Sequence, residues 1–80
     1  MRYVIMIKKK NEDVPVCIKA DKDIGKLKEW IEVKYPGSEK RLPTSEEYND
    51  EGIILKYIQH FRRTYNIIED IIICIKRVNI

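Results

Sequence analysis

Ile71-Ile72-Ile73-Cys74-Ile75 decides the fold: it is a short apolar run, almost wholly β-branched, bounded by Glu69-Asp70 before it and Lys76-Arg77 after it. A run of this length and composition crosses a small domain once, as a strand with sheet neighbours and at least partial cover on both faces. The rest of the chain must therefore supply both the neighbours and the cover.

Working outward, Arg2 to Lys9 alternates with period two. Tyr3, Ile5 and Ile7 fall on one side, and Val4 and Met6 fall with Arg2 and Lys8 on the other, which predicts a first strand. Lys10-Asn11-Glu12-Asp13 is a polar, turn-favouring connection. Val14-Pro15-Val16-Cys17-Ile18-Lys19 then alternates again, with Val14, Val16 and Ile18 expected on the helix-covered face, so the two segments are predicted to form a hairpin. Pro15 has no N–H to donate to a ladder, which assigns the second strand to a sheet edge. Asp21 or Asp23 can cap a helix in which Ile24, Leu27, Ile31 and Tyr35 recur at helical spacing until Pro36-Gly37 stops it, with Trp30 beside that stripe. Ser38 to Pro43 reads as a loop. Thr44-Ser45-Glu46-Glu47 fits a capping box, with Asp50 as a rival start, and Ile54, Ile58, Phe61 and Tyr65 make the stripe of a second helix that Asn66 closes.

The expected architecture is therefore α+β: a two-layer β-β-α-α-β domain over residues 1–80. If the two helices run antiparallel to each other, a right-handed crossover lays the last strand parallel to the first. The result is a three-stranded mixed sheet of order 2-1-3 with both helices on one face. This order of elements resembles a reduced β-grasp, in which a hairpin and a helix precede a final strand parallel to the first. It also places the first strand between Cys17 and Cys74. Two strand spacings are ~9.6 Å, beyond the ~7 Å limit for bridging Cα atoms, so both thiols are expected free.

Composition narrows the function classes. With 80 residues, 44% hydrophobic and 36% charged, the chain is expected to be one folded globular domain rather than a disordered segment. A net charge of +3 and a pI near 8.9 permit an anionic partner without marking a committed polyanion binder. The apolar segment after Met1-Arg2 is too short for a signal peptide or a membrane span, so a cytoplasmic protein is expected. Cys17 and Cys74 form no CxxC pair, and the single histidine with scattered carboxylates has no ligand spacing. No metal site, redox motif or cofactor is expected.

Three constellations carry candidate chemistry. The first is the sheet face away from the helices, where Val4, Met6, Cys17, Ile72 and Cys74 gather with Arg2, Lys8, Lys19 and Lys76 around them. A contiguous apolar face without a covering layer is a candidate interface with a second copy or another protein, although lysine and arginine stems laid over a narrow strip would keep a monomer soluble. The second is basic: Lys8-Lys9-Lys10 converging with Lys76-Arg77 at one sheet end, and Lys56, His60 and Arg63 on one face of the second predicted helix. Either cluster can lie on nucleic-acid phosphates; otherwise the helix face is ordinary solvated surface, and the strand-end cluster is balanced by Glu46, Glu47, Asp50 and Glu51 entering from the same end. The third is His60 with Arg62, Arg63 and Tyr65, a set that can move a proton and stabilise a phosphorane in a small metal-independent ribonuclease.

The leading expectation is a non-enzymatic protein-binding module, homodimeric, acting as a viral or mobile-element inhibitor of a host factor does. A nucleic-acid-binding module is the alternative, and the ribonuclease comes third.

Overall fold

A computed structural model of the chain describes residues 2–9, 14–62 and 68–78, with no account of the side chains at 60–62, 68 and 69. Among these residues the chain forms strands β1 (Arg2–Lys9) and β2 (Val16–Asp21), helix α1 (Ile24–Lys34), strand β3 (Glu39–Arg41), helix α2 (Ser45–Asp50), and strands β4 (Ile53–Arg62) and β5 (Ile68–Val78). The strands make one five-stranded sheet of order β2-β1-β5-β4-β3, antiparallel at every pairing.

The isoleucine run is the middle of β5, at the centre of the sheet. Alternation sends Ile71, Ile73 and Ile75 to one face with Tyr3, Ile5 and Ile7, since Ile5 stands opposite Ile75 and Ile7 opposite Ile73. From β4, Leu55 and Tyr57 stand opposite Ile75 and Ile73. Helix α1 closes this face. Ile5, Leu27, Ile31, Ile73 and Ile75 have no exposed surface and Tyr57 almost none, with Ile24, Trp30 and Tyr35 packed against them.

The helix starts where Asp23, in extended conformation, accepts from the Gly25 N–H at 2.9 Å. Asp21 instead accepts from the Asp23 N–H at 2.9 Å, which holds the turn entering the helix. The helix ends at Tyr35, whose N–H donates to Ile31, and whose ring lies 6.2 Å from that of Trp30.

The α+β class stands, and the expected sheet, second helix, loop and helix placement are corrected. The sheet has five strands rather than three, and β5 runs antiparallel to β1, which removes the mixed sheet and the likeness to a reduced β-grasp. The segment expected as a second long helix is β4: Ile54, Ile58 and Phe61 also lie within an alternating, β-rich run, and β5 needs a neighbour on its second edge. The capping box is real, with Thr44 Oγ1 accepting from the Glu47 N–H at 3.2 Å and Glu47 Oε1 from the Thr44 N–H at 2.9 Å, but the helix it starts is one of six residues. The expected loop at 38–43 contains β3. Finally, the two helices lie on opposite faces, because α2 meets the sheet through Lys56, on the side away from Tyr57.

Pro15 directly precedes β2, and β2 is at the sheet edge as its missing donor requires. The expected burial of Val14, Val16 and Ile18 does not occur: they are 74%, 58% and 41% exposed. A bulge opposite Ile5 and Met6 makes Ile18 the extra residue, so Lys19 rather than Ile18 faces Ile5, and the outer part of β2 lies beyond the cover of α1.

Candidate functional site

The face away from α1 carries the even-numbered residues of β1 and β5. Met6 stands between Cys17 of β2 and Cys74 of β5, Val4 opposite Ala20 and Lys76, and Ile72 opposite Lys8. The structure thus brings Val4, Met6, Cys17, Ile72 and Cys74 onto one surface. Both cysteines are free thiols, Cys17 exposed and Cys74 half-buried, with β1 between their strands.

This surface is narrower than a bare sheet face, because α2 lies over its β4 side. The short helix is held by several contacts. Lys56 Nζ meets Glu47 Oε2 at 2.9 Å, with both side chains about four-fifths buried; the Arg77 guanidinium lies 5.7 Å from the Tyr48 ring; and the Arg77 N–H donates to the Gly52 carbonyl at 2.8 Å. Between α2 and Pro15 runs a groove of about 310 Å³. Its floor is Met6, Ile53, Ile72 and Cys74, and Lys8, Lys76 and Glu51 stand at its rim.

Electrostatics divide these groups into committed and open ones. The Thr44 N–H, and after it the Lys56 ammonium, hold the Glu47 carboxyl below its ordinary value of 4.5. A depressed folded pKa contributes stability that is present above the ordinary value and lost as pH falls through the folded one. Glu47→Gln is therefore expected to weaken the fold at neutral pH and to change little well below pH 4, by urea unfolding followed at several pH values. Burial raises the Cys74 thiol, with Lys56 opposing, so Cys74 stays protonated and a poor nucleophile at neutral pH. On the other face, burial and then Glu32 raise the Tyr57 phenol, whose buried hydroxyl, like Gln59 Oε1, has no hydrogen-bond partner among the described residues.

The predicted basic sites are dispersed. In the antiparallel pairing Lys8 and Lys9 stand opposite Ile72 and Ile71, whereas Arg77 stands opposite Tyr3, so the two clusters occupy opposite ends of the sheet instead of converging. Lys10 and Arg63 lie outside the described residues, as does Tyr65. Lys56 and His60 belong to a strand, not a helix face, and Lys56 is engaged by Glu47. The ribonuclease set loses the helical spacing that grouped it; His60 stands opposite Asp70 in the β4–β5 ladder. Among the described residues no three His, Cys, Asp or Glu side chains gather where a metal ion can be held, and no helix is long and apolar enough to cross a membrane.

Two features of the site escape the sequence: the partial cover by α2, and the contribution of Ile53 to the floor. Gly52 is the available signal for both, since a glycine directly after Glu51 marks the end of a short helix and the start of a new element. By fold and surface the chain is a small antiparallel α+β domain with one covered and one grooved sheet face. Comparison with family models, with curated proteins and with solved structures finds no match.

Proposed function

We propose that the chain is a non-enzymatic protein-binding module that docks through the sheet face bearing Val4, Met6, Cys17, Ile72 and Cys74. The observation that supports this reading is the asymmetry of the sheet. One face is sealed by α1 over a core without exposed surface, while the other keeps an apolar groove floor of Met6, Ile53, Ile72 and Cys74 open beside α2. An open apolar strip costs free energy in water and is retained where a partner covers it. Among the described residues, Lys8, Lys9, Lys56, Lys76 and Arg77 are dispersed and make no continuous basic track for a phosphate backbone, which favours protein contact as the use of this surface.

Met6→Lys combined with Ile72→Lys puts two charges into the floor and tests the reading. Wild type is expected to self-associate or to retain a protein partner at micromolar concentration, and the double variant is expected to sediment as a monomer and retain none. A wild-type monomer that captures no protein through this face overturns the proposal.

A further inference from the structure

A row of sulfur atoms crosses the open face: Met6 of β1 stands opposite Cys17 of β2 on one side and Cys74 of β5 on the other. Residues paired across an antiparallel ladder project to the same face, so both thiols and the thioether share the surface away from α1. Both cysteines are free. Reach decides what the row can hold. A disulfide sets its sulfurs ~2 Å apart and bridges Cα atoms up to ~7 Å apart, which falls short of the ~9.6 Å of two strand spacings. An ion bound between the two sulfurs at about 2.3 Å from each sets them ~4.6 Å apart, and the extra ~2.6 Å closes that shortfall. Such an ion lies directly over Met6, whose flexible thioether is a further soft donor. Met6 and Cys74 also floor the groove of about 310 Å³, so the space over them is open.

We propose that Cys17, Met6 and Cys74 together bind one monovalent thiophilic ion, Cu(I), with the two thiolates as its main ligands and the Met6 sulfur beside them. The inference goes beyond the docking reading and does not depend on it. Thiolate and thioether donors select Cu(I). Zn²⁺ does not fit, since a structural zinc takes four ligands, and among the described residues no three His, Cys, Asp or Glu side chains gather. Binding is a proton exchange without redox change. Each thiol gives its proton to solvent, two sulfur–copper bonds form, and the bis-thiolate complex carries one negative charge. The groove suits that charge, because Lys8, Lys56 and Lys76 line it against Glu47 and Glu51. Burial holds the proton on Cys74 before the ion arrives, with Lys56 and Lys8 opposing and Glu47 and Glu51 assisting, so that proton leaves as the metal bond forms.

Anaerobic titration of the reduced full chain with Cu(I), in competition with a chromophoric Cu(I) chelator, tests the site. Wild type is expected to take one Cu(I) per chain and to show thiolate-to-copper absorption in the ultraviolet. Cys17→Ser and Cys74→Ser are each expected to weaken binding about 100-fold or more, beyond the effect of losing an outer-shell partner, and Met6→Leu about tenfold. Circular dichroism checks that each variant folds. Cys17 is exposed, so its replacement by serine carries the test even where Cys74→Ser disturbs the sheet. Cys17→Ser that binds Cu(I) as tightly as wild type overturns the proposal, as does displacement of Cu(I) by an equal concentration of Zn²⁺. Half an ion per chain with a metal-dependent dimer places the thiolates on two copies and overturns the site within one chain. Unchanged affinity in Met6→Leu overturns the part given to the thioether. The readout is bound metal, so a chain that captures no protein through this face and still binds Cu(I) overturns the docking reading alone.

Discussion

Ile73→Ala is expected to destabilise the protein by about 2–5 kcal/mol, the range for removing a large aliphatic side chain from a packed core. Ile73 has no exposed surface, lies on the central strand, and stands between Ile7 of β1 and Tyr57 of β4 beneath Leu27 and Ile31. Truncation there removes contacts from three elements at once, and the flanking strands cannot close the space without breaking their own ladders. For a chain of 80 residues the total stability is about 4–12 kcal/mol at ordinary values per residue, so this single change is expected to leave a marginal fold. Val33→Ala is the control. Val33 is on the same helix as Leu27 but 76% exposed, and its truncation is expected to stay within about 0.5 kcal/mol. Urea unfolding followed by Trp30 fluorescence measures both. A loss below about 1 kcal/mol for Ile73→Ala would contradict its place at the centre of the sheet.

Gly52→Ala is expected to cost about 2–3 kcal/mol, more than Gly37→Ala at about 1 kcal/mol. Both glycines have positive φ, 71° for Gly52 and 77° for Gly37, so any side chain meets backbone strain at either position. They differ in space. A Cβ at Gly37 would have nothing within 4 Å, whereas at Gly52 it would stand 3.1 Å from the Arg77 carbonyl oxygen, a backbone atom of the central strand. Gly52 also accepts the Arg77 N–H through its own carbonyl, so moving aside stretches the bond that fastens the α2–β4 turn to β5. Because α2 forms one wall of the groove, Gly52→Ala is further expected to weaken docking on that face. Equal costs at the two glycines would show that the α2–β4 turn does not press against β5.

Local rules in the sequence determined more of this protein than its overall topology. The β-branched run at 71–75, short and bounded by charged residues, reads as a strand and is one. Asp23, the stripe Ile24, Leu27, Ile31 and Tyr35, and the Pro36-Gly37 stop bound one helix, and Thr44 with Glu47 starts another. Pro15 marks an edge, and period two in 2–8 separates a core side from the side that carries the groove. Each of these depends on residues within a turn or two of one another, so neighbours in the chain suffice to decide them.

The tertiary structure decided the rest. Ile54, Ile58 and Phe61 satisfy a helical stripe and also fall in a β-rich alternating segment, and local preference does not separate the two. What separates them is β5, whose second edge is satisfied by the ladder from Ile53 to Arg62. Once β4 is a strand, β5 is fed from its neighbour and runs antiparallel to β1, which drives the two basic clusters apart. The bulge that turns Lys19 inward in place of Ile18 arises from pairing with β1, and the groove arises because α2 is fastened across the open face through Lys56 and Arg77. These are contacts between residues distant in the chain, and their free energy exists only when the sheet is assembled.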